Sequence, residues 1–156
     1  MGSDFGHLPS SSPFVCQRIF SRLALYSISP AVTQSLPKLR ILIADDSAPV
    51  RRGIIALLLN NAGWEICGEA ADGPEALQKT VELRPDLVLL DISMPGMSGL
   101  DTARMIRESV PGTRILIMSQ HDATHMLPGV LEAGAQGCVD KGCLSADLFP
   151  AIESLL

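Results

Sequence analysis

The sequence predicts an α/β fold in which a parallel sheet carries helices on both faces. From Leu39 onward, short apolar runs alternate with segments of helical periodicity, and this alternation occurs five times. The connections are short, and short β-α connections force right-handed crossovers between parallel strands. A chain of 156 residues suits one domain with a tail, so we expect a single core of this kind.

Each predicted element has a local signal. We predict strands at residues 39–44, 64–70, 86–90, 114–118 and 136–140. We predict helices at residues 48–61, from Asp72 to before Pro85, after Gly99 to before Pro111, in the segment that contains Pro128, and after Ser145. Pro74 suits the first turn of the second helix, and Gly63 follows the expected end of the first helix. These signals give five β-α units in order along the chain.

Residues 1–37 have a different composition. They are rich in proline and serine, and no acidic residue occurs between Asp4 and Asp45. We expect a disordered or weakly helical extension, or a misplaced translation start. A targeting peptide or an amphipathic surface segment is the alternative, since Arg18 and Arg22 recur at helical spacing. The same two arginines make residues 14–28 too short and too charged to span a bilayer.

Net charge and cysteine spacing indicate which ligands and which cellular compartment suit the chain. A net charge of −5 and a pI near 5.1 argue against nucleic-acid binding by this chain itself, which requires a basic surface. Cys16, Cys67, Cys138 and Cys143 form no C-x-x-C pair, and Cys67 and Cys138 fall within predicted strands. Reduced cysteines of this kind indicate a cytoplasmic protein.

Charged and polar residues stand at four predicted strand ends. Asp45 and Asp46 follow the first strand, Asp91 the third, Ser119 the fourth, and Lys141 the fifth. Because the carboxyl ends of parallel strands line one crevice, these groups should converge there. Three carboxylates brought together repel one another, and a divalent cation removes that conflict. The pattern therefore predicts a metal-dependent phosphate site.

These residues, with Met94-Pro95 and Gly99 after Asp91 and Gly134 to Gly137 before Lys141, resemble a response regulator receiver (CheY-like) domain. The resemblance spans residues 38–156. It implies a doubly wound, flavodoxin-like sheet with strand order 2-1-3-4-5. It also implies phosphorelay signal transduction: a sensor histidine kinase phosphorylates a receiver aspartate, which switches partner binding or dimerisation. The chain would then be a phosphoacceptor, not a multiple-turnover enzyme.

The resemblance also implies a role for each site residue. Asp91 would be the phosphoacceptor, with Lys141 and Ser119 contacting the phosphoryl group. Mg²⁺, or Mn²⁺ in its place, would be held by Asp46, Asp91 and the Ser93 carbonyl, with Asp45 acting through water. Simpler alternatives stay open, since acids favour helix starts and a strand-end serine often caps the following turn. Pro95 and Gly99 would shape the loop, glycine by permitting φ above zero.

Three positions depart from the receiver pattern. Cys138 stands where receivers usually carry Tyr or Phe, and a thiol cannot fill the same volume. Pro128 predicts that the fourth helix starts late, near residue 127, or is kinked. Gly142 replaces the proline that generally follows the lysine, as in receivers joined to a helix-turn-helix output domain, which the sequence also resembles. We expect no output domain in a chain that stops at Leu156.

Two rival functions stay open, and one further motif is a decoy. A pseudo-receiver would use the fold only for docking, which Cys138 and Pro128 favour. An aspartate-nucleophile phosphatase of haloacid-dehalogenase type generally needs a second Asp two residues after the nucleophile, where this chain has Ser93. His121 and His125 imitate the H-E-x-x-H zinc spacing, but Asp122 replaces the glutamate and no third ligand is evident.

Overall fold

The computed structural model describes residues 37–120 and 123–156, with no side-chain detail for residues 123 and 124. Five strands form one sheet in the order β2-β1-β3-β4-β5, and all neighbouring pairs are parallel. The strands are β1 (Leu39–Ala44), β2 (Trp64–Ala70), β3 (Leu87–Asp91), β4 (Arg114–Ser119) and β5 (Gly137–Asp140). The predicted doubly wound sheet and its strand order are therefore confirmed.

Five α-helices connect and follow these strands. They are α1 (Ala48–Leu58), α2 (Gly73–Leu83), α3 (Gly99–Ser109), α4 (Ala123–Glu132) and α5 (Leu144–Ser154), with a 3-10 turn at Lys141–Cys143. Alternate residues of each strand face opposite sides of the sheet. Ile41 and Ile43 pack with α1 and α5, whereas Leu42 and Ala44 pack with the layer of α2, α3 and α4.

Burial of these strands fixes the register of the sheet. Four consecutive residues of β3, Leu87 to Leu90, are at most 1% exposed. A strand that is buried on both faces has a continuous run of apolar residues. A shift of its register by one residue would move each side chain to the opposite face of the sheet. The polar residues that end these runs are therefore held at defined positions along one edge of the sheet.

Helix ends follow the local chemistry of the sequence. Asp72 caps α2 by accepting a hydrogen bond from the Glu75 N–H at 2.8 Å, and Pro74 lies in the first turn as predicted. Arg84 ends α2 in the left-handed region, at φ 48°, immediately before Pro85. Helix α1 ends at Leu58 and not at residue 61, because the Asn60 side-chain amide donates to the Leu57 carbonyl at 3.1 Å and satisfies the last turn.

Pro128 predicts either a late start or a kink of α4, and the late start is wrong. The helix begins at Ala123 and continues through Pro128. Met126, Val130 and Ala133 recur at helical spacing and pack against β4 and β5, with Val130 fully buried. This tertiary contact outweighs the weak local preference of a helix that contains proline.

Other expectations concern residues outside the described ranges. The prediction for residues 1–37, the oxidation state of Cys16, and the His121 and Asp122 part of the zinc-like motif all lie there, apart from Pro37. Among the described helices, none is long and apolar enough to cross a membrane. Cys67 and Cys138 lie in β2 and β5, where partial burial raises the pKa of both thiols.

Candidate functional site

The carboxyl edge of the sheet brings the predicted polar residues to one place. Asp45 follows β1, Asp91 and Ser119 end β3 and β4, and Lys141 follows β5. Asp45, Asp91 and Ser119 are 0%, 1% and 0% exposed. Carboxylates are almost never buried to this degree without partners. The two buried carboxylates therefore require compensating partners.

Lys141 supplies the positive charge. Its Nζ lies 2.6 Å from Asp45 Oδ2 and 2.9 Å from Asp91 Oδ1, and its side chain is 10% exposed. Burial lowers the pKa of Lys141, but hydrogen bonding and charge attraction from Asp45 and Asp91 outweigh it and raise the pKa above its ordinary value. The ammonium form is thus held in place between two buried carboxylates.

Asp45, Asp46 and Asp91 form an acidic cluster. Each offers a carboxylate oxygen, and these three atoms lie within 4.8 Å of one another. Three carboxylates and one Lys141 ammonium leave two formal negative charges at the site. Asp45 Oδ2 is buried, and among described residues its charge is compensated by Lys141 Nζ at 2.6 Å. An excess of two negative charges and a set of hard oxygen donors fit a divalent cation such as Mg²⁺.

The two adjacent acids are held differently. Asp45 Oδ1 accepts a hydrogen bond from the Ser47 N–H at 2.8 Å, at the start of α1. Asp46 is exposed, and within the described part of the chain its carboxylate makes no hydrogen bond or ion pair. The Asp45 bond is a turn contact and not a helix cap, because the N-cap of α1 is Ser47 and it makes no side-chain cap hydrogen bond, so helix capping explains neither acid. The unused carboxylate of Asp46 is available to a ligand.

Ser93 and Ser119 border the cluster. The Ser93 N–H donates to Asp91 Oδ1 at 3.2 Å, which orients that carboxylate. Ser119 is buried at the end of β4 and pairs in register with Asp140 of β5, while Asp91 pairs with Met118. The structure thus places the backbone of Ser93 against Asp91, and it places Ser119 on the strand between Asp91 and Lys141.

The loop after Asp91 requires glycine for a different reason than the predicted one. Gly99 does not have a positive φ; instead, a Cβ at this position would lie 2.1 Å from the Asp91 carbonyl oxygen. Its N–H donates to the Ile92 carbonyl at 2.9 Å, so the loop closes directly onto the end of β3. The positive φ falls at Gly96, with φ 82°.

Sequence reasoning missed Arg51. Its Nη1 donates to the Asp45 carbonyl at 2.7 Å and its Nε lies 2.9 Å from Glu69 Oε2. The available signal was position, because Arg51 lies one helical turn after Ser47 in α1 and so faces back toward the end of β1. In the sequence, an arginine near two aspartates is equally consistent with a surface ion pair. Spacing alone therefore did not identify the contact of Arg51 with the Asp45 carbonyl.

Comparisons with known proteins identify the family of this chain. The family model of the response regulator receiver domain matches residues 41–153. The oxygen regulatory protein NreC of Staphylococcus epidermidis is 42% identical over 118 residues, which are 75% of this chain and 54% of NreC. The chain therefore spans about half the length of the curated relatives that it matches.

Solved structures give the same assignment. A two-component response regulator of the LuxR family from Aurantimonas sp. superimposes with a TM-score of 0.72 at 36% identity, covering 76% of this chain and 84% of that one. The signal receiver domain of NarL from Mycobacterium tuberculosis gives a TM-score of 0.72 at 32% identity, covering 77% and 97%. The family match and the strand order agree: this chain belongs to the response regulator receiver family of two-component signal transduction.

Proposed function

We propose that Asp91 is the phosphoacceptor of this receiver and takes its phosphoryl group from a sensor histidine kinase. The observation that carries the proposal is the burial of the Asp91 carboxylate beside an ammonium group and two other carboxylates. Asp91 is 1% exposed, yet its carboxylate lies 2.9 Å from Lys141 Nζ and within 4.8 Å of two other carboxylates. A nucleophile buried beside an ammonium group and an acidic cluster fits phosphoryl transfer better than a structural role.

The transfer is balanced in bonds and protons. A carboxylate oxygen of Asp91 attacks the phosphorus of a phosphohistidine, the P–N bond breaks, and the imidazole nitrogen keeps the electron pair and takes a proton from solvent. The product is an acyl phosphate on Asp91. The energy comes from the donor, so the site has only to orient the groups and stabilise charge on the equatorial oxygens.

Mg²⁺, with Mn²⁺ as a possible substitute, is the cofactor that the acidic cluster suits. Asp46, Asp91 and the Ser93 carbonyl would hold it directly, and Asp45 through water. When bound, the cation neutralises the carboxylates and the incoming phosphoryl charge. The exposed carboxylate of Asp46, which has no partner among described residues, supports its assignment as a ligand.

Lys141 and Ser119 stabilise the phosphorylated state in this proposal. Lys141 already contacts Asp91 Oδ1, so its ammonium is placed to donate to a phosphoryl oxygen on that carboxylate. Ser119 would donate its hydroxyl proton to a second phosphoryl oxygen. A shift from a 1:99 to a 99:1 population requires about 5.5 kcal/mol, which a few charge-assisted hydrogen bonds approach.

The switch would act through binding and not through turnover. We propose that phosphorylation changes affinity for a downstream protein or for a second copy of the chain, with at most slow self-dephosphorylation. Residues 38–156 form the receiver domain in this account, preceded by an extension, and the protein acts in the cytoplasm. Its net charge of −5 supports the absence of direct DNA binding by this chain.

Intact mass measurement with acetyl phosphate and Mg²⁺ tests the proposal. The wild type should gain the mass of one phosphoryl group, and Asp91→Asn should gain none. Asp147→Asn, a change at an exposed acid in the first turn of α5, is the matched control and should label like the wild type. Unchanged labelling of Asp91→Asn would overturn the proposal.

Two rival functions give different results in the same experiment. A pseudo-receiver that only docks would gain no mass in any variant. A phosphatase of haloacid-dehalogenase type would release phosphate from small esters over many turnovers, which the receiver should not do. The family match favours the receiver over the phosphatase.

A further inference from the structure

Arg51 lies beside the acidic cluster without belonging to it. Its guanidinium uses two separate nitrogens: Nη1 donates to the Asp45 carbonyl at 2.7 Å, and Nε pairs with Glu69 Oε2 at 2.9 Å. The Arg51 side chain is 16% exposed, whereas Glu69 is 46% exposed. Glu69 is thus the exposed partner of the ion pair. The second contact of Arg51, to the Asp45 carbonyl, lies beside the acidic cluster. A planar guanidinium can make both contacts at once in a fixed geometry.

The bonded carbonyl belongs to the peptide that joins Asp45 to Asp46. The other side of Asp45 is also fixed, because its N–H donates to the Ala70 carbonyl of β2 at 3.1 Å. Asp46 has no such support from its own side chain, since its carboxylate makes no hydrogen bond or ion pair within residues 37–120 and 123–156. The position of the Asp46 carboxylate is therefore set by its backbone, and Arg51 holds the peptide that precedes it.

Glu69 is anchored in turn. Its carbonyl accepts a hydrogen bond from Lys79 Nζ, and Lys79 also pairs with Glu75 at 2.7 Å in α2. The Glu75 carboxylate accepts from the Ala71 N–H at 2.7 Å, which closes the loop between β2 and α2 onto the first turn of that helix. The partner of Arg51 thus rests on an ordered connection and not on a free loop.

We propose that Arg51 is a positioning residue for the cation site. By fixing the Asp45–Asp46 peptide against β2, it holds the Asp46 carboxylate within reach of Asp45 and Asp91, so that a divalent cation binds a preformed set of oxygens. This inference rests on the proposed metal role of the acidic cluster. Residues that orient metal ligands typically change metal affinity 10- to 100-fold when removed, so the expected effect is about tenfold or more.

The test is a Mn²⁺ titration of the full chain, with free Mn²⁺ followed by electron paramagnetic resonance. Arg51→Met should weaken Mn²⁺ binding by about tenfold. Arg52→Met is the matched control, because it removes the same charge from the next residue, which is exposed, and it should bind like the wild type. Equal affinities for the two variants would overturn the inference, since the effect would then be one of net charge or absent.

A second variant and a second readout separate positioning from general damage. Arg51→Lys keeps the charge but cannot form both contacts, so its affinity should fall between those of the wild type and Arg51→Met. In the metal-free protein, the Asp46 amide resonance should shift in Arg51→Met and not in Arg52→Met, because its peptide carbonyl loses a hydrogen bond. An unshifted Asp46 resonance would overturn the inference even if affinity fell.

Failure of the proposed function looks different. If the wild type binds neither Mn²⁺ nor beryllofluoride with Mg²⁺, the acidic cluster is not a cation site and both proposals fail. If the wild type binds and Arg51→Met binds equally well, the phosphoacceptor proposal stands and only the role of Arg51 is lost.

Discussion

The acidic cluster and the outer face of α4 lie on the same fold but are held in opposite ways. Asp45 and Asp91 are buried and paired with Lys141, and the loop backbone closes onto them. The outer face of α4, formed by Leu127, Pro128 and Leu131, is exposed, and the two leucines are 39% and 53% exposed. We therefore expect substitutions in the acidic cluster to disturb the fold, whereas substitutions at the exposed residues of α4 should disturb it little.

This difference separates the region that we propose to accept the phosphoryl group from the face that we expect to change its contacts. Strand ends position the cluster, so its geometry follows from the buried sheet. Helix α4 packs against the core through Met126 and Val130, with Ala133 just after its end, whereas Leu127, Pro128 and Leu131 on its other face are exposed. Elements with few buried contacts are the ones that change position in switching proteins. Substitutions in the two regions should accordingly have very different costs.

The largest contrast should come from a pair of Gly→Ala changes. Gly99→Ala places a Cβ 2.1 Å from the Asp91 carbonyl oxygen and should lower the free energy of unfolding by about 3 kcal/mol. Gly129→Ala in α4 meets nothing closer than 4.0 Å and should raise it by about 0.5 kcal/mol, since alanine favours helix. Urea denaturation of both variants measures the difference. Similar values would contradict the contrast between the two regions.

Lys141→Met should have the next largest effect, and a pH dependence. Removal of the ammonium leaves two buried carboxylates uncompensated and should cost about 2 kcal/mol near neutral pH, less than for a wholly buried pair because Lys141 is partly exposed. The pKa of Lys141 is raised in the fold, so the stabilisation is complete below its unfolded value, about 10.4, and is lost as pH rises through the raised value.

Urea unfolding of the wild type and Lys141→Met at about pH 8 and about pH 11 measures this dependence. The difference between the two proteins should shrink at the higher pH. Lys38→Met, at an exposed lysine, is the control and should show no such change. A difference that stays constant across this range would show that Lys141 contributes by packing and not by charge.

The sequence predicted the sheet and the acidic cluster well because both depend on local pattern. Apolar runs identify buried strands, and the residue that ends each run is brought to a known edge. Lys141 and Asp91 were found in this way although they are 50 residues apart in the chain. The contact between Arg51 and Asp45 escaped because it depends on a side-chain conformation that spacing does not specify.

Two sequence predictions failed for a similar reason: the start of α4 and the role of Gly99. The late start, one of the two outcomes that Pro128 predicts for α4, is wrong because a single proline carries a strong local signal, while the packing of Val130 against the sheet is a property of the whole fold. The role of Gly99 was also misread, because close approach of two backbones leaves no trace in a single sequence. Both errors arise where tertiary contacts decide.

The smallest effect is expected on the α4 face. Leu131→Gln should change the free energy of unfolding by less than about 0.5 kcal/mol, because the side chain is 53% exposed. Its buried neighbour provides the comparison: Val130→Ala should cost about 2 kcal/mol. Thermal or urea unfolding measures both. A large loss in Leu131→Gln would mean that this face is packed and not available to a partner.

The central claim is that Asp91 carries the phosphoryl group. Reduction with borohydride after incubation with acetyl phosphate and Mg²⁺ converts an acyl phosphate on aspartate into homoserine, which peptide mass mapping locates. We expect homoserine at position 91 and at no other aspartate. Homoserine at position 45 or 46, or none in a protein that binds Mg²⁺, would contradict it.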